Sequence, residues 1–230
     1  MAKLHLSLTE KFILSLVLGI LITGYILFYT NVPLFESYVR EDGLVEWLTV
    51  LGLILGVIVC IQRFFKLRKV RSWWFLFIVL GLAILLFFAA GEEISWGQRI
   101  FHIQSSEFFK ERNSQGETNL HNLIVDGVKL NKLIFSIGLT IAMGVYLLVF
   151  PILYRYHAGT KRFIDRSGIP LPKAYQVISM LLVFLITSLL PHEKKAEMLE
   201  AGIALLFFLV IRYPGNLSVF DPATEVPKAS

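Results

Sequence analysis

Apolar residues run for about twenty positions at a time along this chain, and each run is closed by charge, proline or glycine. A helix needs about twenty such residues to cross a bilayer. The pattern predicts six spans, at about 12–29, 44–65, 73–93, 130–154, 174–190 and 197–213. Each break has a local cause. Pro33 with Glu36, Arg40, Glu41 and Asp42 closes the first run, Lys66 to Arg71 the second, Pro191 the fifth and Pro214-Gly215 the sixth. Pro151 falls within the fourth run and is expected to kink its last turns.

The longest polar connection, Arg99 to Gly127, mixes Phe101, Ile103, Phe108 and Phe109 with Glu107, Lys110, Glu111 and Arg112. That mixture suits a helix lying on the membrane surface. Ser114-Gln115-Gly116-Glu117 then reads as a capping box opening a helix with Leu120, Leu123 and Ile124 on one stripe. The tail, 216–230, reads as flexible and cytoplasmic. The expected fold is therefore all-α: a polytopic helical membrane protein of about six transmembrane helices, one domain over 1–215, with an outer-face interfacial helical segment.

Composition agrees. The 230 residues are 56% hydrophobic and 17% charged, against about 45–50% apolar for a soluble domain. The first run exceeds the apolar core of a signal peptide and no small-x-small site follows it, so it reads as a retained helix. The net charge of +5 does not indicate nucleic acid, because the basic residues sit at helix ends. Cys60, the only cysteine, lies inside a span, so no intramolecular disulfide forms.

The short turns 66–71 and 155–173 are dense in lysine and arginine. By the positive-inside rule they face the cytoplasm, which puts both termini inside a cell inner (plasma) membrane. The same map sorts the acids. Of seventeen, only Glu10, Asp165, Asp221 and Glu225 fall on the cytoplasmic side.

Four groups converge on the outer face. Glu92 and Glu93 end the third span, where an acid costs up to about 3 kcal/mol. Trp96 marks the aromatic belt. Glu92, Trp96 and Arg99 share a helical face, so Arg99 is expected to neutralise Glu92. Glu117 and His121 have the i, i+4 spacing that suits a divalent metal, or an acid orienting an imidazole. Glu193, Glu197 and Glu200 share a face of the last span, with His192 beside them. Glu46 stands with Trp47 at the start of the second span, after Glu41 and Asp42. Bland roles compete with each: a helix-end clamp for Glu92, a capping side chain for Glu117, a solvated helix start for Glu46, Glu193 and Glu197.

The order Glu92-Glu93-Ile94-Ser95-Trp96, then Arg99, His121 and His192, resembles the glutamate-type intramembrane proteases, the CAAX prenyl endopeptidase family. The resemblance implies Glu92 or Glu93 as a base activating water, with His121 and His192 as partners. This chain departs from that pattern in the late position of Arg99, in Glu117 before the first histidine, and in Ala196 in the last motif. The segments GEEISWGQR and ETNLHN also look like those of uncharacterised bacterial multi-pass membrane proteins.

Two functions follow as expectations. One is a membrane-embedded hydrolase acting on a lipid-linked or membrane-delivered substrate. Its catalytic residues would be Glu92, Glu93, His121 and His192, and Glu93, Glu117, His121, His192 and Glu200 would be ligands to a divalent metal (zinc, iron or manganese). Glu46, Trp96 and Arg99 would support the site. The other is an ion or solute transporter, a cation-binding protein or a non-catalytic assembly protein, since intramembrane acids also mark ion paths. Membrane lipid is the one partner expected in either case.

Overall fold

A computed structural model describes residues 5–120, 123–125, 128–129 and 138–224. The protein is an all-α, membrane-type helical protein. Four helices are long and apolar enough to cross a membrane: α1 (Leu8–Thr30), α3 (Leu44–Leu67), α4 (Trp73–Glu93) and the continuous helix Leu139–Tyr156. Between them lie the short α2 (Val32–Tyr38), α5 (Gln98–Phe101) and α6 (Glu107–Arg112). A two-residue antiparallel ladder, β1 (Ile124–Val125) with β2 (Val128–Lys129), is the only strand pairing among the described residues besides an isolated bridge, Asn113 to Leu123. The start of the expected fourth span, 130–137, lies outside the described residues.

Helix Leu139–Tyr156 is built of α7 (Leu139–Gly144), a π turn (Val145–Val149) and α8 (Phe150–Tyr156). The π turn lies immediately before Pro151, whose missing N–H leaves a carbonyl one turn back without its partner. The expected disturbance is therefore a widened turn upstream of the proline. After α9 (Ala158–Ser167) come α10 (Ala174–Ser188), shorter than a full span, and α11 (Lys195–Arg212).

Helix α11 is the axis of the bundle. It packs on α1, α3 and α10, while α4 packs along α3 and meets α11 at Gly56, where Leu86 and Ile211 converge. From Ala201 to Ile211 nearly every side chain is buried, with Leu205, Leu206, Leu209, Val210 and Ile211 fully so. That position explains how its first turns keep Glu197 and Glu200: they meet protein instead of lipid. Lipid-facing positions elsewhere stay apolar, as at Ile22 and Ile26 of α1 and Ile84 and Leu85 of α4, all at least half exposed.

The segment after α11 departs from the flexible tail the sequence predicts. Asn216 is buried, and its side chain accepts from Leu171 N–H (2.9 Å) and donates to Asp165 Oδ1 (3.2 Å). A 3-10 turn, Leu217–Phe220, then places Phe220 under the Arg63 guanidinium, 3.8 Å from carbon Cζ to the ring centre. Arg71 donates to the carbonyls of Val219 (2.9 Å) and Asp221 (2.7 Å). The polar composition of this stretch concealed the two buried residues, Val219 and Phe220, that fasten it.

Helices α3 and α11 approach closely at Gly52. A methyl group there would stand 2.8 Å from the Ala204 carbonyl carbon, which is backbone and cannot turn aside. Gly52→Ala is therefore expected to destabilise the bundle by about 1–3 kcal/mol. Unfolding in detergent, compared with Gly19→Ala, where nothing lies within 4 Å, checks this.

Candidate functional site

The end of the bundle that gathers the C-terminus of α4 and the N-termini of α3 and α11 is acidic. Helix α4 stops there abruptly. Ser95, Trp96 and Gly97 follow one another with φ of 47°, 55° and 74°. Left-handed backbone is natural for glycine but an outlier for a residue as bulky as tryptophan, costing on the order of 1–3 kcal/mol at a site. The surroundings offset that strain. Trp96 folds back on Gly91, where a Cβ would sit 2.9 Å from the indole ring, and meets Phe88 edge-on with centroids 5.5 Å apart. Its Nε1 donates to Glu92 Oε1 at 2.8 Å.

This turn corrects the expected Glu92–Arg99 pair. The two residues do not share a helix. Glu92, 6% exposed, is held by Trp96 and by the Leu120 N–H, 2.6 Å from Oε2. Arg99 swings to the start of α3 and the 113–120 connection. One terminal nitrogen lies 3.5 Å from Glu41 and 3.3 Å from Asp42. The other lies 3.2 Å from Glu46, and Nε lies 3.5 Å from Glu117. Glu46 is 4% exposed and also accepts from the Asp42 N–H.

The expected helix opening at Ser114–Glu117 is also corrected. Residues 113–120 form a compact polar turn. Asn113 accepts from the N–H groups of Gln115 and Glu117 and donates to Asn119, so its side chain takes the place of helix hydrogen bonds. Asn119 donates to Ser95 Oγ at 2.8 Å, and Ser95 donates to Glu117. Gln98 clamps the same turn, donating to Ser105 (2.6 Å) and accepting from Thr118 N–H (2.8 Å). With no helix at Glu117, the i, i+4 argument for Glu117 and His121 lapses. His121 itself lies outside the described residues.

Together these elements enclose a cavity of about 100 Å³. Seven glutamates line it: Glu41, Glu46, Glu92, Glu93, Glu117, Glu197 and Glu200, with Ser95, Gln115 and Asn119. Arg99 is the only cation lining it among the described residues. Four candidates expected from three helices thus meet here: Glu92, Glu93, Glu117 and Glu200. Glu46 and Arg99 join them in the wall. Trp96 braces Glu92 from outside.

His192 is elsewhere. Its ring packs between Phe28 and Phe35, and Nε2 lies 3.3 Å from Glu36. Lys195 also turns away, donating to the carbonyls of Ser188 and Leu190, and Glu193 is exposed. Glu93, Glu197 and Glu200 differ from the other four glutamates. They face the cavity with no hydrogen bond or ion pair within 4 Å among the described residues, although Lys194 and Arg99 act on Glu197 from farther away. The sequence reading missed Ser95, Gln115 and Asn119 as lining residues. The one signal for them was the density of short polar side chains flanking the motif.

Among the described residues, no three acidic, histidine or cysteine side chains are arranged to hold a metal ion directly. The donors are all carboxylate oxygens, amides and a hydroxyl. That set suits a hard cation keeping some of its water, as magnesium does, better than zinc, which prefers nitrogen and sulfur. No family model matches the chain, and neither a curated protein nor a solved structure is similar to it.

Arg99→Ala would leave Glu46 buried beside Glu41, Asp42 and Glu117 with no countercharge. Breaking a partly buried pair by removing one partner costs about 3–5 kcal/mol. Arg99→Lys is expected to recover only part of it, because one ammonium cannot reach acids on three sides. Chemical unfolding of the three proteins in one detergent checks both.

Proposed function

We propose that this is a multi-pass plasma-membrane protein, both termini cytoplasmic, whose outer-face cavity binds a hydrated cation. The observation that carries the reading is the trio Glu93, Glu197 and Glu200, which makes no hydrogen bond or close ion pair among the described residues and faces a cavity whose single guanidinium is paired with four other acids. Carboxylates crowded into a partly buried site resist being ionised together. A cation entering between them relieves that repulsion. A cavity of about 100 Å³ has room for several waters, so the cation can be held through its hydration shell.

Binding fits better than transport. Below Glu200, helix α11 buries only apolar side chains down to Ile211. The acids are confined to one end, whereas an ion path needs polar groups through the membrane depth.

A second reading is favoured by the surface beside the cavity. Ile100, Phe101, Ile103 and Phe108 are each nearly half exposed or more, on the segment that also clamps the cavity turn. A membrane-embedded hydrolase would use such a surface to receive a lipid-linked substrate. Glu93 would then be the water-activating base, and Glu93→Gln would lower turnover by about 10²–10⁴-fold.

Thermal unfolding of the purified protein with magnesium, calcium, manganese or zinc chloride tests the cation reading. A cation at a hundred times its Kd is expected to add about 2.7 kcal/mol to the wild type, and the gain is expected to vanish in Glu93→Gln/Glu200→Gln. If the wild type gains nothing from any of the four, the cation reading fails.

A further inference from the structure

We propose that the end of the bundle opposite the cavity is a docking surface for anionic phospholipid headgroups. The two ends are about 30 Å apart along the 21 residues of α4. At the far end exposed cations gather, among them Lys66 in the last turn of α3, Arg68 and Lys69 on the turn before α4, and Lys161, Arg162 and Arg166 on α9. None has an ion-pair partner among the described residues. The described acids at this end are engaged within the fold, Glu10 by Lys173 and the Tyr175 hydroxyl. Asp165 accepts from the Tyr154 hydroxyl (3.0 Å) and from Asn216, and Asp221 accepts from the Ala223 N–H.

The cations form one surface because the fold joins their two segments. Helix α9 packs on α4, and Trp74 Nε1 donates to Ser167 Oγ at 3.0 Å. Gly168, at φ 62°, gives the left-handed exit that lets the end of α9 lie against the Phe75 ring. Ile164 anchors the helix with its side chain fully buried, while Phe163 beside it is 53% exposed.

The kind of anion follows from depth. Trp73 (72% exposed) and Trp74 (50%) open the apolar run of α4 and therefore mark the boundary of the hydrocarbon layer. Cations beside that belt sit among headgroups. A soluble polyanion would need a surface standing clear of the membrane. The chemistry recognised is the headgroup phosphate of a lipid with net negative charge, such as phosphatidylglycerol. Each cation near an anionic surface is worth about fivefold in affinity.

The test uses the full chain in phosphatidylcholine bilayers containing a trace of spin-labelled phosphatidylglycerol or spin-labelled phosphatidylcholine. Electron paramagnetic resonance reads the immobilised fraction of each. The wild type is expected to prefer phosphatidylglycerol severalfold, with the preference shrinking as salt is raised. In Lys161→Gln/Arg162→Gln/Arg166→Gln it should fall at least fivefold or to parity, while Lys110→Gln/Arg112→Gln at the other end should keep it. If the first variant fails to fold, Lys66→Gln/Arg68→Gln/Lys69→Gln gives the same readout from the adjoining turn. Equal association of both lipids with the wild type, or full preference in a folded variant of this end, overturns the proposal.

Discussion

One guanidinium holds the acidic end together. Arg99 gathers Glu41, Asp42 and Glu46 from the start of α3 and Glu117 from the polar turn. Planar and always charged, it can serve several carboxylates at once. Its reach depends on the left-handed turn that ends α4, and that turn depends on Trp96 lying over Gly91. Glu92, Ser95 and Asn119 then fasten the turn to the connection beyond it. The cavity is what remains between these ties and the first turns of α11. Arg99 makes no close ion pair with Glu93, Glu197 or Glu200.

The helical class could be read from the chain because bilayer thickness imposes a length on apolar runs, and α1, α3 and α4 were each marked by that length. Packing was not readable. Nothing in the hydropathy of α11 distinguishes a helix at the centre of a bundle from one at its rim. The acids at 197 and 200 did hint at shelter from lipid. The fastened segment after α11 escaped notice for a related reason. Val219 and Phe220 lie in a short stretch with no periodic pattern, and their placement involves Arg63 and Arg71, about 150 positions earlier.

The site was legible as a set of residues and misread as geometry. Glu92, Glu93, Glu117 and Glu200 do share one cavity. The pairings within it were drawn from helical spacing, and helical spacing ends at Glu93. Three left-handed residues in a row have no periodic signature, and Ser-Trp-Gly contains only one glycine to suggest them. The Asn113 side chain replaces a helix with a turn through local hydrogen bonds that a capping pattern imitates. His192 looked like a site residue by adjacency to Glu193, but aromatic packing on Phe28 and Phe35 decides its place.

The central position of α11 bears on how the chain is made. Its first turns carry Lys195, Glu197 and Glu200, so on its own it is a poor candidate for partition into lipid. It is also synthesised after every helix it touches. Until it emerges, α1, α3 and α10 have no shared axis to close around, and Gly24 of α1 and Gly52 of α3 face an empty groove. Docking of this helix is thus a cooperative step, in which the helices already placed supply the solvent for the last one. The acidic end comes into being at that same moment, because two of its glutamates, Glu197 and Glu200, arrive with α11.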